Sequence, residues 1–215
     1  TMSYMTKFTT ISEILSSGVD NHPQRTALSY VNGDGITFAE AGARIASIRS
    51  RLAQRGVTVG DRIALYSENM PAWPLVYFAV TTTPAVIVPI LPDFPADDVA
   101  NILSHSETKI LVISQRMRER MGDVLDALQN VTILEIEELA LGGSEEALPA
   151  GSVEPDDLAA IIYTSGTTGF SKGVMLSHRN IAANVSSARD IPNMKPGESM
   201  LSILPLSHTY ECTLG

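Results

Sequence analysis

The chain has a single cysteine, Cys212, so it cannot form an internal disulfide. Its four histidines and that cysteine show no metal-ligand spacing. This usage fits a reducing, cytoplasmic setting, with Cys212 as a small buried hydrophobe rather than a nucleophile. Cations are also scarce, with 15 Lys and Arg against 24 Asp and Glu and a net charge of −9. A broad basic face for nucleic acid is excluded, because neutralising phosphates needs clustered Lys and Arg. No Lys or Arg occurs between Arg120 and Lys172. The opening TMSYMTKFTT has no apolar signal core. Residues 69–92 carry no formal charge, but Pro71, Pro74, Pro84, Pro89 and Pro92 interrupt them, and Thr81, Thr82 and Thr83 sit in the middle. A short buried helix, a turn and a buried strand fit that stretch better than a membrane span. Loose contact with a membrane surface stays open. Internal repeats and long low-complexity segments are lacking as well.

What is present is ordinary globular material: 215 residues, 44% hydrophobic and 18% charged, enough for one large domain or two small ones. ISEILSS reads as a first helix, with Thr10 and Glu13 in a capping-box pattern and Gly18 beyond its end. ALSYV reads as a strand, turned back through VNGDGITF. A second capping box, Thr37 with Glu40, opens a helix whose apolar stripe is Phe38, Ala41, Ile45, Ile48 and Leu52, and Gly56 stops it. Strand candidates follow: RIALYS, AVIVPIL, KILVIS, VTILEI, LAAIIYT and MLSILP. Helix candidates between them are AWPLVYFAV, ADDVANILSH, RMRERMGDVLDAL and HRNIAANVSSA, the last with Ser177 as N-cap. Apolar strands alternating with helices predict an α/β fold, a mainly parallel sheet flanked by helices. Such sheets bind ligands beyond the carboxyl ends of their strands. GGSEEALPAGSVEPDD, residues 142–157, reads as a solvated internal linker.

The sharpest feature is YTSGTTGFSKG, residues 163–173, at the carboxyl end of the LAAIIYT strand. Glycines let successive N–H groups turn toward one anion, hydroxyls add donors, and Lys172 adds a mobile positive charge. A plain surface turn would not account for the full residue order or the apolar strand before it. The loop is not a Walker A loop. Counted from Gly166, Ser171 stands where that pattern needs its second glycine, and Gly173 follows Lys172 where Ser or Thr should bind magnesium.

YTSGTTGFSKG resembles the signature of the adenylate-forming superfamily, which includes acyl-CoA synthetases, firefly-type luciferases and peptide-synthetase adenylation domains. SILPLSHTYE, residues 202–211, resembles the next motif of that family, at the matching distance and order. GVTVGDRIALYSENMPAW, AVIVPILPDFPADDVANILSHSETKILVIS and GVMLSHRNI are similar to acyl-CoA synthetase stretches. The resemblance runs from about Thr37 to the end, and HTYE is similar to the long-chain fatty-acid branch.

The resemblance implies that a carboxylate attacks the α-phosphorus of ATP to give an acyl-adenylate and pyrophosphate, and that the thiol of CoA then displaces AMP. Thr164, Ser165, Gly166, Thr167, Thr168 and Gly169 would hold the β- and γ-phosphates. Thr164 would also contact Mg2+, and Lys172 would bring charge to the phosphates. Thr167 and Thr168 also suit a bare turn. His208 would lie beside the substrate carboxylate or α-phosphate, and Glu211 would assist it or merely hydrogen-bond within the fold. His22, His105 and His178 read as structural. Many members of the family have proline where this chain has Ser171, which loosens the backbone before Lys172. The resemblance places residues 1–215 as an incomplete N-terminal part of the large AMP-binding domain, without the C-terminal domain. The expectations are therefore a fatty-acid–CoA ligase as parent, a fragment inactive by itself, and self-association through an uncovered sheet edge. A ligase of another carboxylate (aromatic, amino or shorter-chain) and a non-catalytic nucleotide-binding module are the alternatives.

Overall fold

Thr10 sets where the fold begins. Its hydroxyl accepts the Glu13 N–H at 3.3 Å while the Glu13 carboxylate takes the N–H groups of Thr9 and Thr10, which closes the capping box. The structure, a computed structural model, describes residues 8–141, 148–164, 172–188 and 198–208. Helix α1 spans Ile11–Asn21, so Gly18 lies inside it and not beyond its end. The reason is steric: a Cβ at Gly18 would stand 2.7 Å from Cε1 of Phe38. Strands β1 (Thr26–Ser29) and β2 (Gly35–Thr37) pair antiparallel, with Asn32 between them in the left-handed region at φ 59°. Helix α2, Phe38–Gln54, opens on the Thr37–Glu40 box and ends before Gly56 at φ 73°. Ala41, Ile45, Ile48 and Leu52 of its stripe are buried.

The main sheet has six strands: β3 (Arg62–Tyr66), β4 (Val86–Ile90), β5 (Thr108–Ile113), β6 (Thr132–Glu135), β7 (Leu158–Thr164) and β8 (Lys172–Ser177). Their spatial order is β6-β5-β3-β4-β7-β8, parallel throughout except that β8 runs antiparallel to β7. The connecting helices are α3 (Ala72–Thr81), α4 (Ala96–His105), α5 (Gln115–Met121), α6 (Asp123–Asp126) and α7 (Ile136–Ala140), and α8 (His178–Ala188) follows β8. Alternation along the strands divides the core. Ile63, Leu65, Ile87, Ile110 and Val112 pack with α2, α3 and α7 on one face. Ala64, Tyr66, Val88, Ile90, Leu111 and Ile113 pack with α4, α5 and α6 on the other. Full burial of each such Ile or Leu stabilises by about 1.5–3 kcal/mol.

Two further expectations are corrected. MLSILP is not a strand: residues 198–208 are irregular, and Leu201 and Ile203 are 62% and 77% exposed. An apolar run forms a strand only where a neighbouring edge can pair with it. RMRERMGDVLDAL forms two helices, because Gly122 takes φ 51° between them. Two elements were not foreseen, the short helix α7 and strand β8. Cys212 lies outside the described residues. No helix among the described residues is long and apolar enough to cross a membrane.

Within the stretch read as a linker, residues 148–157 are tied to the core. Arg49, only 7% exposed, donates to the Leu148 carbonyl at 2.9 Å and to Thr82 Oγ1 at 2.8 Å. The Gly151 N–H donates to the Thr82 carbonyl at 2.9 Å, and a Cβ at Gly151 would meet Pro84 Cδ at 2.9 Å.

Candidate functional site

Parallel pairing puts the carboxyl ends of β3, β4, β5, β6 and β7 on one edge of the sheet, where the oriented ends of α/β sheets receive ligands. Thr164 ends β7 on that edge and is exposed. Lys172 starts β8 directly opposite it, so the two form one rung of an antiparallel pair. Directly opposed residues share a face of the sheet. The glycine-rich loop therefore joins two antiparallel strands, and Lys172 begins a strand and not a helix. Ser165, Gly166, Thr167, Thr168 and Gly169, with the departure at Ser171, lie outside the described residues.

The second expected motif reaches the same edge by a different route. Asn69 follows β3 at its carboxyl end. Its amide donates to the Leu204 carbonyl at 2.7 Å and to Ser202 Oγ at 3.3 Å, and its Oδ1 accepts the Leu206 N–H at 2.8 Å. One side chain thus fastens residues 202–206 to the sheet. The His208 N–H then donates to the Pro205 carbonyl at 2.8 Å, closing a turn in which Ser207 is buried and His208 is exposed. Glu211 lies outside the described residues.

A cleft of about 420 Å³ opens beside this segment, lined among others by Glu68, Asn69, Asp93, Arg116, Arg120 and Ser202. Arg120 is committed to its own wall, donating to the carbonyls of Pro92 at 2.6 Å and Asp93 at 3.2 Å. Ser114, wholly buried, donates to Glu68 and accepts the Met117 N–H, so the start of α5 and the exit of β3 are joined. Glu68 and Asn69 were missed in the sequence. Both stand just beyond an apolar strand, and the carboxyl-end rule marks such positions.

Among the described residues no group of three His, Cys, Asp or Glu side chains could hold a metal by itself. The exposed hydroxyl of Thr164 is a hard oxygen donor. That suits magnesium, which commonly takes few protein ligands and completes its shell with phosphate oxygens and water. The three histidines read as structural stand apart from this edge group in role. His22 caps the end of α1, donating its N–H to the Gly18 carbonyl at 3.0 Å. His105 and His178 are engaged with Tyr163 and with the Ile11 N–H respectively. Ser177 accepts the Asn180 N–H at 3.3 Å, while Asn180 Oδ1 accepts the Ser177 N–H at 3.1 Å, a reciprocal cap on α8.

The family model described as "AMP-binding enzyme" matches residues 15–215. Indigoidine synthase of Streptomyces lavendulae is 32% identical over 200 residues, covering 93% of this chain and 16% of that protein. Peroxisomal long chain acyl-CoA synthetase 7 of Arabidopsis thaliana is 31% identical over 198 residues, covering 82% of this chain and 28% of that protein. Among solved structures, ATP-bound MatB from Rhodopseudomonas palustris superposes with a TM-score of 0.80 at 28% identity, covering 96% of this chain and 42% of that one. The chain thus spans less than a third of the length of these two relatives.

Proposed function

The chain belongs to the AMP-binding enzyme family of adenylate-forming ligases, and on that premise we propose that the whole protein activates a long-chain fatty acid with ATP and transfers the acyl group to CoA. A carboxylate oxygen attacks the α-phosphorus, the bond to the bridging oxygen breaks, and pyrophosphate leaves with the electron pair. The thiolate of CoA then attacks the acyl carbon and expels AMP. Carboxylate and triphosphate repel each other, so the protein's task is positioning and charge compensation.

Within this reading the Thr164–Lys172 rung receives the β- and γ-phosphates together with the glycine-rich loop, Ser165 to Gly169. Lys172 offsets the charge that builds on the departing pyrophosphate. Magnesium held by Thr164 would spread that charge further. Exposed His208, on the segment that Asn69 fastens beyond the carboxyl end of β3, would orient the carboxylate, and Glu211 would assist it. The observation that supports the reading most is this convergence. Two motifs distant in sequence reach one edge, one through strand pairing at Thr164 and Lys172, the other through the Asn69 amide.

An L-proline–[L-prolyl-carrier protein] ligase of Streptomyces coelicolor, 32% identical over 195 residues, favours a second reading with an amino acid or another carboxylate as substrate. Pyrophosphate release by the full-length protein, screened across long-chain, short-chain, aromatic and amino acids, decides between them. The fatty-acid reading expects the highest kcat/KM with long-chain acids. A preference for an amino or aromatic acid overturns it, and no release with any acid leaves a nucleotide-binding module. The 215 residues by themselves are expected to show no turnover with ATP, magnesium, fatty acid and CoA, since they span only 28% of the acyl-CoA synthetase. We place the protein in the cytoplasm, with any membrane contact peripheral.

A further inference from the structure

Tyr163 immediately precedes the Thr164–Lys172 rung, yet its side chain lies on the opposite face of the sheet, among the residues that pack with α4. It is 3% exposed. Its hydroxyl and Nδ1 of His105, the last residue of α4, are 2.7 Å apart and share a hydrogen bond. The two rings stand perpendicular, with centroids 5.7 Å apart. Burial pushes the Tyr163 pKa up, so the phenol keeps its proton for that bond. Across the hairpin Tyr163 pairs with Gly173. A Cβ there would come within 3.2 Å of the ring carbon Cζ and 3.0 Å of Ile161 Cγ2. The ring therefore lies against the β8 backbone at Gly173, one rung inward from Thr164 and Lys172. No step of the proposed chemistry uses the tyrosine, the histidine or this close approach.

We propose that Tyr163 and His105 are positioning residues that clamp the first residues of β8 and so hold Lys172 opposite Thr164. This rests on the reading of the hairpin as a nucleotide site. β8 is the outer strand at that side of the sheet and follows a glycine-rich loop, so its first rung has the greatest freedom to fray. A ring fixed from α4 removes that freedom. When the clamp is cut, only a fraction of molecules present the intact rung, and apparent nucleotide affinity falls by that fraction.

The test uses Tyr163→Phe, His105→Ala and His105→Asn in the full-length protein. Titration calorimetry reads ATP–magnesium affinity, and amide exchange reads residues 172–177. Tyr163→Phe and His105→Ala are each expected to weaken ATP roughly fivefold, the loss of about one hydrogen bond. The double variant is expected to go no further, because both changes cut the same bond. His105→Asn places an amide near the position of Nδ1 and is expected to recover most of the affinity, which a merely structural loss would not. Exchange at 172–177 is expected to quicken in the first two variants and not in the third. Unchanged affinity and exchange in Tyr163→Phe overturn the inference, and so does equal weakening in His105→Ala and His105→Asn. A wild-type protein that binds no ATP defeats the proposed function instead, while the exchange measurement still decides whether the clamp exists.

Discussion

His178 enters the core uncharged. It is the first residue of α8, 1% exposed, with the Ile11 N–H directed at its Nδ1 over 3.5 Å. Burial pushes its pKa below the ordinary 6.5, and nearby Asp157 opposes this only in part. Protons therefore bind the unfolded chain more readily than the folded one. Stability is full above the unfolded value and is lost as pH falls through the lower folded value. The urea midpoint is expected to drop between about pH 7.5 and pH 5.5, and to drop less in His178→Asn. An identical drop in both proteins would remove His178 as the cause. At Lys172 the expectation concerns rate: Lys172→Ala in the full-length enzyme should lower kcat/KM for pyrophosphate release by about 10²–10³. Asn69→Ala should also lower activity, because residues 202–206 lose their three bonds to that amide. A rise in proteolytic nicking near residues 198–208 would accompany it, whereas Lys172→Ala should leave that segment unchanged.

Helix and strand boundaries show where sequence reasoning reached its limit. Both capping boxes lay open in the sequence because the bonds span three residues. The helix of ADDVANILSH and the strand of LAAIIYT have the ends the pattern gives them. Gly18 misled because glycine usually ends a helix, while here it makes room for a ring from α2. This gives a test of sign. Ala is favoured over Gly inside a helix by about 1 kcal/mol. Overpacking against Phe38 should nevertheless destabilise Gly18→Ala by a net ~1–2 kcal/mol in urea unfolding. A more stable variant would show that Phe38 can move aside. Strand β8 was hidden for another reason. KGVMLS has no alternation to mark it, and it becomes a strand through pairing with β7, from Leu158↔Ser177 to Thr164↔Lys172. MLSILP is the converse case, with strand composition but no strand formed.

The parallel α/β sheet was legible at the scale of the whole molecule, because periodicity alternates between strand and helix along the chain. The site was legible only in part. Thr164 and Lys172 stood out as the ends of one loop, but nothing local said that they face each other. Asn69 and Leu206 are 137 positions apart, a distance no pattern in one sequence can bridge. The sheet also leaves β8 as an outer strand with Val174 and Met175 46% and 66% exposed. An edge of that kind invites pairing with a second copy. Concentration-dependent self-association of the 215-residue chain is expected in light scattering, and Met175→Lys should suppress it. A monodisperse monomer at high concentration would count against this. The strand order has one more consequence, for the order in which the protein is made. β4 sits inside the finished sheet, between β3 and β7, and Ile87 and Val88 are fully buried there. On the ribosome β7 emerges long after β4, once β5, β6 and the acidic stretch tied down by Arg49 have been synthesised. Until then the nascent sheet ends at β4, with its most apolar strand unpaired along one side. That interval is when a chaperone has most to cover, and when a slowed ribosome would most favour a wrong partner strand.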